Sequence, residues 1–134
     1  MIVVDTNIIA YLFVEGENSE TAEGVLLKDP HWAAPFLWRS EFRNVLAKCL
    51  AGGSFGLETA IRIIEEAERL MAGAEYDVAS ADVLSLAASA GCSADDAEFV
   101  SLARGLGVAF VTLDSRLIKD FPETAVPPER FLNA

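Results

Sequence analysis

Cysteine is scarce: two of the 134 residues are cysteines. Cys49 and Cys92 lie far apart in the chain and lack the C-x-x-C spacing that indicates a metal or redox site. Both fall in apolar segments with a helical pattern, so we expect reduced thiols in the core. A chain of this length buries roughly two-thirds of its unfolded surface in one core, so the fold does not need disulfide bonds.

Basic residues are also scarce. Ten Lys and Arg residues stand against 21 Asp and Glu residues, which gives a net charge of −11 and an isoelectric point near 4.4. Such a protein repels nucleic acid at long range, which argues against a protein that coats DNA. A nuclease is not excluded, because a bound divalent cation reverses the sign of the potential inside one pocket.

Long hydrophobic runs are absent. No segment approaches the ~20 apolar residues that span a bilayer, and no basic region precedes the short apolar run at the N-terminus. These absences predict a cytoplasmic protein with no membrane contact. Without repeats or interdomain linkers, residues 1–134 are predicted to form a single domain. The hydrophobic content of 52% is high, which favours a homodimer or another partner that covers apolar surface.

Short apolar segments alternate with helical patterns along the chain. Strands are predicted near residues 2–5, 32–34, 75–78, 108–113 and 125–127. Helices are predicted near residues 8–13, 19–28, 36–50, 57–71, 80–90, 92–104 and 115–120. On the 57–71 helix, Ile61, Ile64, Ala67 and either Leu70 or Met71 are expected to face the core. The alternation predicts a three-layer α/β/α domain with a central parallel sheet of four to five strands.

Two apolar strand segments end in an acid. Asp5 follows Val3 and Val4, and Asp114 follows the apolar run that ends at Leu113. The carboxyl ends of strands in an open parallel sheet line the crevice where ligands bind, so both acids are candidate site residues. The alternative for each is a helix N-cap, a common role of Asp between a strand and a helix.

A third and a fourth candidate acid lie on helices. Glu41 shares a helical face with Leu37 and Val45, and a carboxylate within an apolar stripe is costly unless it is paired, protonated or bound to a cation. Asp96 lies near a helix start, where Ser93 and Asp96 also have the spacing of a capping box. Four converging carboxylates repel one another, and Mg²⁺ or Mn²⁺ is the hard cation that such oxygen ligands would hold.

The candidate acids fall in four short segments. These are V-V-D-T-N at residues 3–7, S-E-F-R-N-V-L at residues 40–46, D-D-A-E-F-V-S-L-A at residues 95–103 and V-T-L-D-S-R-L at residues 111–117. In this order and spacing they resemble the PIN-domain ribonucleases of the VapC toxin type, over nearly the whole chain. The resemblance implies a PIN-like α/β/α domain and a Mg²⁺-dependent endoribonuclease. It also implies a toxin with a cognate antitoxin as partner, RNA as substrate, and products with 5′-phosphate and 3′-hydroxyl ends.

The resemblance implies roles for individual residues as well. The catalytic, metal-binding acids would be Asp5, Glu41, Asp96 and Asp114. Supporting hydrogen bonds to these acids, to water or to substrate would come from Thr6, Asn7, Asn44 and Thr112. One question of register arises because Asp95 is also acidic. We assign Asp96 to the site and Asp95 to its rim or to a helix cap, since D-A followed by an apolar helix fits the pattern.

The chain has few basic side chains, and some of them would have to contact the phosphates of a nucleic-acid substrate. Arg39 and Arg43 share a helical face, and Arg116 follows Asp114 closely. We predict that Arg43 and Arg116 contact substrate phosphates. Arg39 is instead expected to be a surface residue or to pair with one of the many Glu side chains.

Two other functions fit parts of the sequence. A catalytically silent PIN-like module that binds protein would keep the fold without the metal, although the complete set of four acids argues against it. An aspartyl phosphoacceptor domain also places acids at strand ends. However, Asp5 has no second acid beside it, and no suitably placed Lys is evident.

Overall fold

The sheet is built around the unbroken aliphatic segment at the N-terminus. A computed structural model describes all residues, 1–134. The strands are β1 (Ile2–Val4), β2 (Trp32–Pro35), β3 (Glu75–Tyr76), β4 (Phe110–Val111) and β5 (Ala125–Val126). All pair in parallel, in the order β3-β2-β1-β4-β5. Ile2, Val3 and Val4 are buried because β1 lies in the middle of this sheet and is covered on both faces.

Eight helices connect and cover the strands. They are α1 (Thr6–Phe13), α2 (Ser19–Lys28), α3 (Leu37–Ala51), α4 (Leu57–Met71), α5 (Ser80–Ala90), α6 (Ala94–Leu106), α7 (Ser115–Asp120) and α8 (Pro128–Leu132). The alternation confirms the predicted α/β fold with its central parallel sheet. None of the helices combines the length and the apolar composition that crossing a bilayer requires.

The helices agree with their predicted limits more closely than the strands do. The patterns at 19–28, 57–71 and 80–90 are observed with the same bounds. The predicted strand at 108–113 is reduced to Phe110–Val111, the two residues that pair with both β1 and β5. The helix α8 was not predicted; Pro128 begins it as a first-turn proline, and the α8 helix packs against α2.

The buried face of α3 differs from the predicted one. Leu37, Glu41 and Val45 were expected to form the apolar stripe, but the buried stripe is Trp38, Phe42 and Leu46, one residue further along. The two aromatic rings bring more apolar area into the core than the predicted set, with centroids 6.1 Å apart. Glu41 therefore lies half-buried on the flank of the stripe.

The inner face of α4 was also predicted incorrectly in part. Its buried residues are Ala60, Ala67 and Met71, whereas Ile61 is 47% exposed. Leu57 on the same helix is 63% exposed. The small alanine side chains let α4 pack closely against the rest of the domain. This packing leaves larger apolar side chains on the outer surface of α4.

A polar network ties α3 to the edge strand β3. The Glu75 side chain is 7% exposed. Its carboxylate accepts hydrogen bonds from Arg39 Nε at 2.6 Å, Arg39 Nη2 at 2.8 Å and Trp38 Nε1 at 2.8 Å. Arg39 Nη1 also donates to Glu68 Oε2 on α4 at 2.9 Å. Arg39 is thus engaged in ion pairs with glutamates, as expected from the sequence.

We predict that Glu75→Gln lowers the free energy of unfolding by about 1–3 kcal/mol at pH 7, because the planar Arg39 fork and the Trp38 indole lose a nearly buried charged acceptor. The guanidinium of Arg39 holds the pKa of Glu75 below its ordinary value of 4.5. The difference in the free energy of unfolding between wild type and Glu75→Gln therefore has its largest value above about pH 4.5. It disappears as the pH falls through the lowered pKa of Glu75. Urea unfolding followed by circular dichroism at several pH values measures it.

The matched control is Glu68→Gln, which removes the same charge from the same network. Glu68 is more exposed, at 28%, and accepts a single bond. We expect a loss below about 1 kcal/mol for this variant, in the range of exposed ion pairs. Equal losses for the two variants would contradict the assignment of Glu75 as the central acceptor.

Candidate metal centre

The candidate acids collect at the carboxyl edge of the sheet. Val4 of β1 is in register with Val111 of β4, and the Asp5 amide donates to the Val111 carbonyl at 2.9 Å. Asp5 begins α1, and Asp114 begins α7 from the neighbouring strand. The first turn of α6 carries Asp96 and α3 carries Glu41.

Asp5 is held by two donors. Its Oδ1 accepts from the Thr6 amide at 2.8 Å, and its Oδ2 accepts from Thr112 Oγ1 at 2.6 Å. Thr112 is fully buried, and its hydroxyl also accepts from the Asp114 amide at 3.0 Å. One threonine hydroxyl therefore fixes the Asp5 carboxylate and the backbone of Asp114 together.

Glu41 is held from the neighbouring helix. Its Oε1 accepts from Thr6 Oγ1 at 2.6 Å. Thr6 is 6% exposed and is the first residue of α1, directly after Asp5. The Thr6 backbone thus contacts one acid and its side chain contacts another. The Thr6 hydroxyl therefore links the start of α1 to α3.

Asp96 and Asp114 lie at helix starts, as the capping alternative predicted. Ser93 Oγ caps α6 by accepting from the Asp96 amide at 3.1 Å. Asp114 Oδ1 caps α7 by accepting from the amides of Arg116 and Leu117 at 2.9 and 3.2 Å. In Asp114 only one carboxylate oxygen takes part in these bonds. The capping role and a place among the four acids are therefore compatible.

The charges of the four acids act on one another. Burial is the main reason that the pKa of Asp5 is raised, and the negative charges of Asp96 and Asp114 raise it further, against the hydrogen bonds from Thr112 and Thr6. Burial likewise raises the pKa of Glu41, and the charges of Asp5, Asp95 and Asp96 add to this. The four acids form one electrostatic cluster.

Burial also raises the pKa of Asp96, and Asp114 adds to that effect. Arg116 lowers this pKa, but its guanidinium lies 3.8 Å from Asp120 and forms no ion pair with the cluster. None of the ion pairs in the protein involves Asp5, Glu41, Asp96 or Asp114. The cluster therefore carries negative charge that no Lys or Arg side chain neutralises.

Only some of the other predicted site residues form hydrogen bonds with the acids. Thr6 and Thr112 bond to the acids, whereas Asn44 and Arg43 on α3 are exposed and form no hydrogen bond with them. Asn7 has a buried Oδ1 that lacks any hydrogen-bond partner.

Asp95 is exposed beside Asp96, consistent with its expected place at the rim. The Arg116 side chain is exposed and reaches toward the Gly91 carbonyl at 3.4 Å.

The donor set suits a hard cation. It consists of carboxylate oxygens, with the unpartnered Asn7 Oδ1 two residues after Asp5. No three His, Cys, Asp or Glu side chains are close enough to hold a metal ion directly as they stand. Mg²⁺ usually keeps several waters and takes only one or two protein carboxylates directly, so this open spacing fits Mg²⁺ better than it fits a closed protein cage.

Additional residues beside the cluster were not identified from the sequence. Phe36, directly after β2, is 45% exposed. Asp77 and Glu98 lie on the same side, where burial raises the pKa of Glu98 and the charges of Asp95 and Asp77 add to it. The proximity of Phe36 to these acids depends on the pairing of β2 with β3, which no local pattern indicates.

Comparison with known proteins gives a consistent result. The family model described as PIN domain matches residues 2–123. Ribonuclease VapC3 from Pyrobaculum aerophilum is 30% identical over 129 residues, which cover 94% of this chain and 98% of that protein. The family match includes all four acids of the cluster.

Solved structures share the fold. The crystal structure of PAE2754 from Pyrobaculum aerophilum superposes with a TM-score of 0.77 at 20% identity, covering 98% of this chain and 93% of that one. A toxin-antitoxin complex from Klebsiella pneumoniae superposes with a TM-score of 0.71 at 17% identity, covering 96% of this chain and 98% of that one.

The dual role of the Thr112 hydroxyl can be tested with an isosteric change. We predict that Thr112→Val lowers the free energy of unfolding by about 1–3 kcal/mol at pH 7, because a buried carboxylate oxygen loses its donor and the Asp114 amide loses its acceptor. Thr112→Ser keeps the hydroxyl and should lose less than about 1.5 kcal/mol, mostly through the missing methyl group. Urea unfolding compares the two variants, and a greater loss for Ser than for Val would contradict the assignment.

Proposed function

This chain belongs to the PIN domain family, and we propose that it is a Mg²⁺-dependent endoribonuclease, the toxin of a toxin–antitoxin pair. The observation that carries the proposal is the cluster of four acids at one sheet edge without a cationic side chain to neutralise them. The likeness to a protein named Ribonuclease VapC3 supports the ribonuclease activity. Net charge alone would repel RNA, so the cluster needs a cation to receive a phosphate.

In this proposal the acids hold the cation and the threonines hold the acids. Asp5, Glu41, Asp96 and Asp114 supply oxygen ligands, directly or through water. A bound divalent cation would position the scissile phosphate and lower the pKa of an attacking water. Thr6 and Thr112 keep Glu41 and Asp5 in fixed orientations through bonds of 2.6 Å each.

Proton transfer needs a carboxylate oxygen that is still free. Glu41 Oε1 is engaged by Thr6, whereas its Oε2 is not hydrogen-bonded. A free carboxylate oxygen can accept a proton from a water that lies within hydrogen-bond reach of it. We therefore assign to Glu41 Oε2 the acceptance of the proton that the attacking water loses.

Contacts with the rest of the substrate fall to exposed polar side chains. Arg116 is the second residue of α7 and lies two positions after Asp114, and its charge acts on Asp96, so it is the better placed of the two predicted phosphate contacts. Arg43 is exposed on the helix that carries Glu41 and would contact a phosphate further from the scissile bond. The Asn7 and Asn44 amides would donate to substrate or to water.

We also propose a cognate antitoxin as a partner, a homodimer as the assembly, and the cytoplasm as the compartment. The Klebsiella pneumoniae structure with a similar fold is described as a toxin-antitoxin complex. Leu57 and Ile61 expose apolar surface on α4, which a protein partner would cover. The RNA that an endoribonuclease toxin cleaves is found in the cytoplasm.

A second function is favoured by one observation. A catalytically silent PIN-like module that binds protein would keep the fold while its acids fail to converge, and no three acids here are close enough to hold a metal directly. This candidate predicts no affinity for divalent cations. The two functions can thus be separated by metal binding before any substrate is known.

Replacement of one acid tests the nuclease. We predict that Asp5→Asn lowers Mg²⁺-dependent cleavage of RNA by roughly 100-fold or more, since changes even in groups that orient metal ligands cost about 10- to 100-fold. Cleavage of total RNA, with sequencing of the ends, should show 5′-phosphate and 3′-hydroxyl products for wild type only. The far-ultraviolet circular dichroism spectrum should not change.

The matched control for this experiment is Glu65→Gln, which removes the same charge from the exposed surface of α4. We expect it to cleave like wild type. If Asp5→Asn remains fully active, the proposed function is wrong.

Metal affinity tests the silent alternative. We predict that titration of Mn²⁺ into the wild-type protein in a calorimeter shows saturable binding, and that Asp5→Asn weakens it by roughly 10-fold or more. Saturating metal should also raise the thermal midpoint of wild type, because the ligand binds the folded state preferentially. Absence of binding in both measurements would favour the silent module.

A further inference from the structure

We propose that the cavity next to the acid cluster binds one unpaired nucleobase of the substrate, and that it prefers a base with an exocyclic amino group. This inference rests on the proposed ribonuclease function. It adds a specificity site to the cleavage site. The cavity has a volume of about 310 Å³ and lies between the ends of β2 and β3 and the starts of α5 and α6.

The position of the cavity connects it with the acids. Ala94 and Glu98 on its wall belong to the first turns of α6, and these turns also carry Asp95 and Asp96. Phe36 on the opposite wall follows Pro35 of β2, and its amide donates to the Tyr76 carbonyl at 3.1 Å. The register of Val3 with Ala33 places Pro35 beside Asp5. A nucleotide adjacent to a phosphate at the acids would therefore reach this cavity with its base.

The lining of the cavity suits the face of a base. Phe36 is 45% exposed, and it lines the cavity together with Tyr76 and Val78. Leu84, 64% exposed, closes another side. Exposed aromatic rings beside a nucleic-acid site stack on unpaired bases, and this contact does not depend on phosphate charge.

The charges of the cavity exclude a phosphate and favour a hydrogen-bond donor. Its charged residues are Asp77 and Glu98, and neither forms an ion pair. Carboxylates accept hydrogen bonds from the amino group of cytosine and comparable groups on adenine and guanine. Uracil presents a carbonyl oxygen where cytosine presents this amino group, so it would place an acceptor against a carboxylate.

The test measures binding by the full chain that carries Asp5→Asn, because this substitution prevents cleavage. This protein is called the parent, and every further substitution is made in it. The probes are fluorescent single-stranded oligocytidylate and oligouridylate of roughly 12 nucleotides, within the span of one single-strand-binding domain. An abasic ribose-phosphate oligomer of equal length and charge is the third probe. Fluorescence anisotropy in Mg²⁺ buffer gives the Kd of each.

We expect Phe36→Leu to raise the Kd for oligocytidylate by about tenfold, and Phe36→Tyr to change it by less than about twofold, because only the leucine lacks a stacking face. Binding of the abasic oligomer should be the same for the parent, for Phe36→Leu and for Phe36→Tyr. Leu27→Ala, at an apolar residue of α2 that is 86% exposed, should behave like its parent.

The amino-group preference has its own comparison. The parent should bind oligocytidylate roughly 5-fold or more tightly than oligouridylate. Glu98→Gln should remove this preference, because an amide accepts from cytosine and donates to uracil. Asp82→Asn removes an equal charge from α5 outside this cavity and should leave the preference intact.

Three results would overturn the proposal. Unchanged binding of oligocytidylate by Phe36→Leu would remove the base site while leaving the nuclease function in place. A parent that binds none of the probes would overturn the base site, and it would reject the RNA function as well if the wild-type protein also fails to cleave RNA. If Phe36→Leu converts a dimer to a monomer in sedimentation equilibrium and weakens all three probes equally, the cavity is a subunit interface.

Discussion

The structure depends on the burial of β1 between β2 and β4. Because Ile2, Val3 and Val4 are covered on both faces, with 3%, 0% and 0% exposure, the strand has no freedom to shift. Burying side chains of this kind contributes roughly 1.5–3 kcal/mol each. Asp5 is the next residue and is placed by that burial beside Asp114 of the neighbouring strand. The core therefore supplies the energy that brings like charges together.

The threonines limit the energetic penalty of this arrangement. Thr6 and Thr112 are the buried polar residues of the core, and each donates to a carboxylate. A hydroxyl can donate to an acid without adding a positive charge that would neutralise it. Lys or Arg in the same places would stabilise the folded chain but fill the position that a cation needs. The neutral donors leave the cluster negative and oriented.

Features that depend on local sequence were predicted correctly more often than features that depend on long-range contacts. The ends of α2, α4 and α5 follow from local periodicity and stop signals such as Gly91 in the left-handed conformation, so they were predicted well. The acids Asp5 and Asp114 were predicted from their places at strand ends. The buried face of α3 was missed by one position, because the choice between Leu37 and Trp38 depends on the space that the sheet and neighbouring helices leave. Similarly, no local pattern brings Phe36 beside Asp77 and Glu98.

The acidity of the whole chain constrains how it can hold RNA. Most nucleic-acid-binding proteins gain affinity by neutralising phosphates with Lys and Arg. Here Arg39 is engaged by Glu75 and Glu68, and Arg116 is the basic residue whose charge acts on Asp96. For the proposed ribonuclease, most of the affinity would then come from a cation at the cluster and from contacts that are insensitive to charge. Stacking on Phe36 is such a contact, and it binds only bases that are already unpaired. An acidic nuclease of this kind would therefore select single-stranded sites through its lack of basic surface.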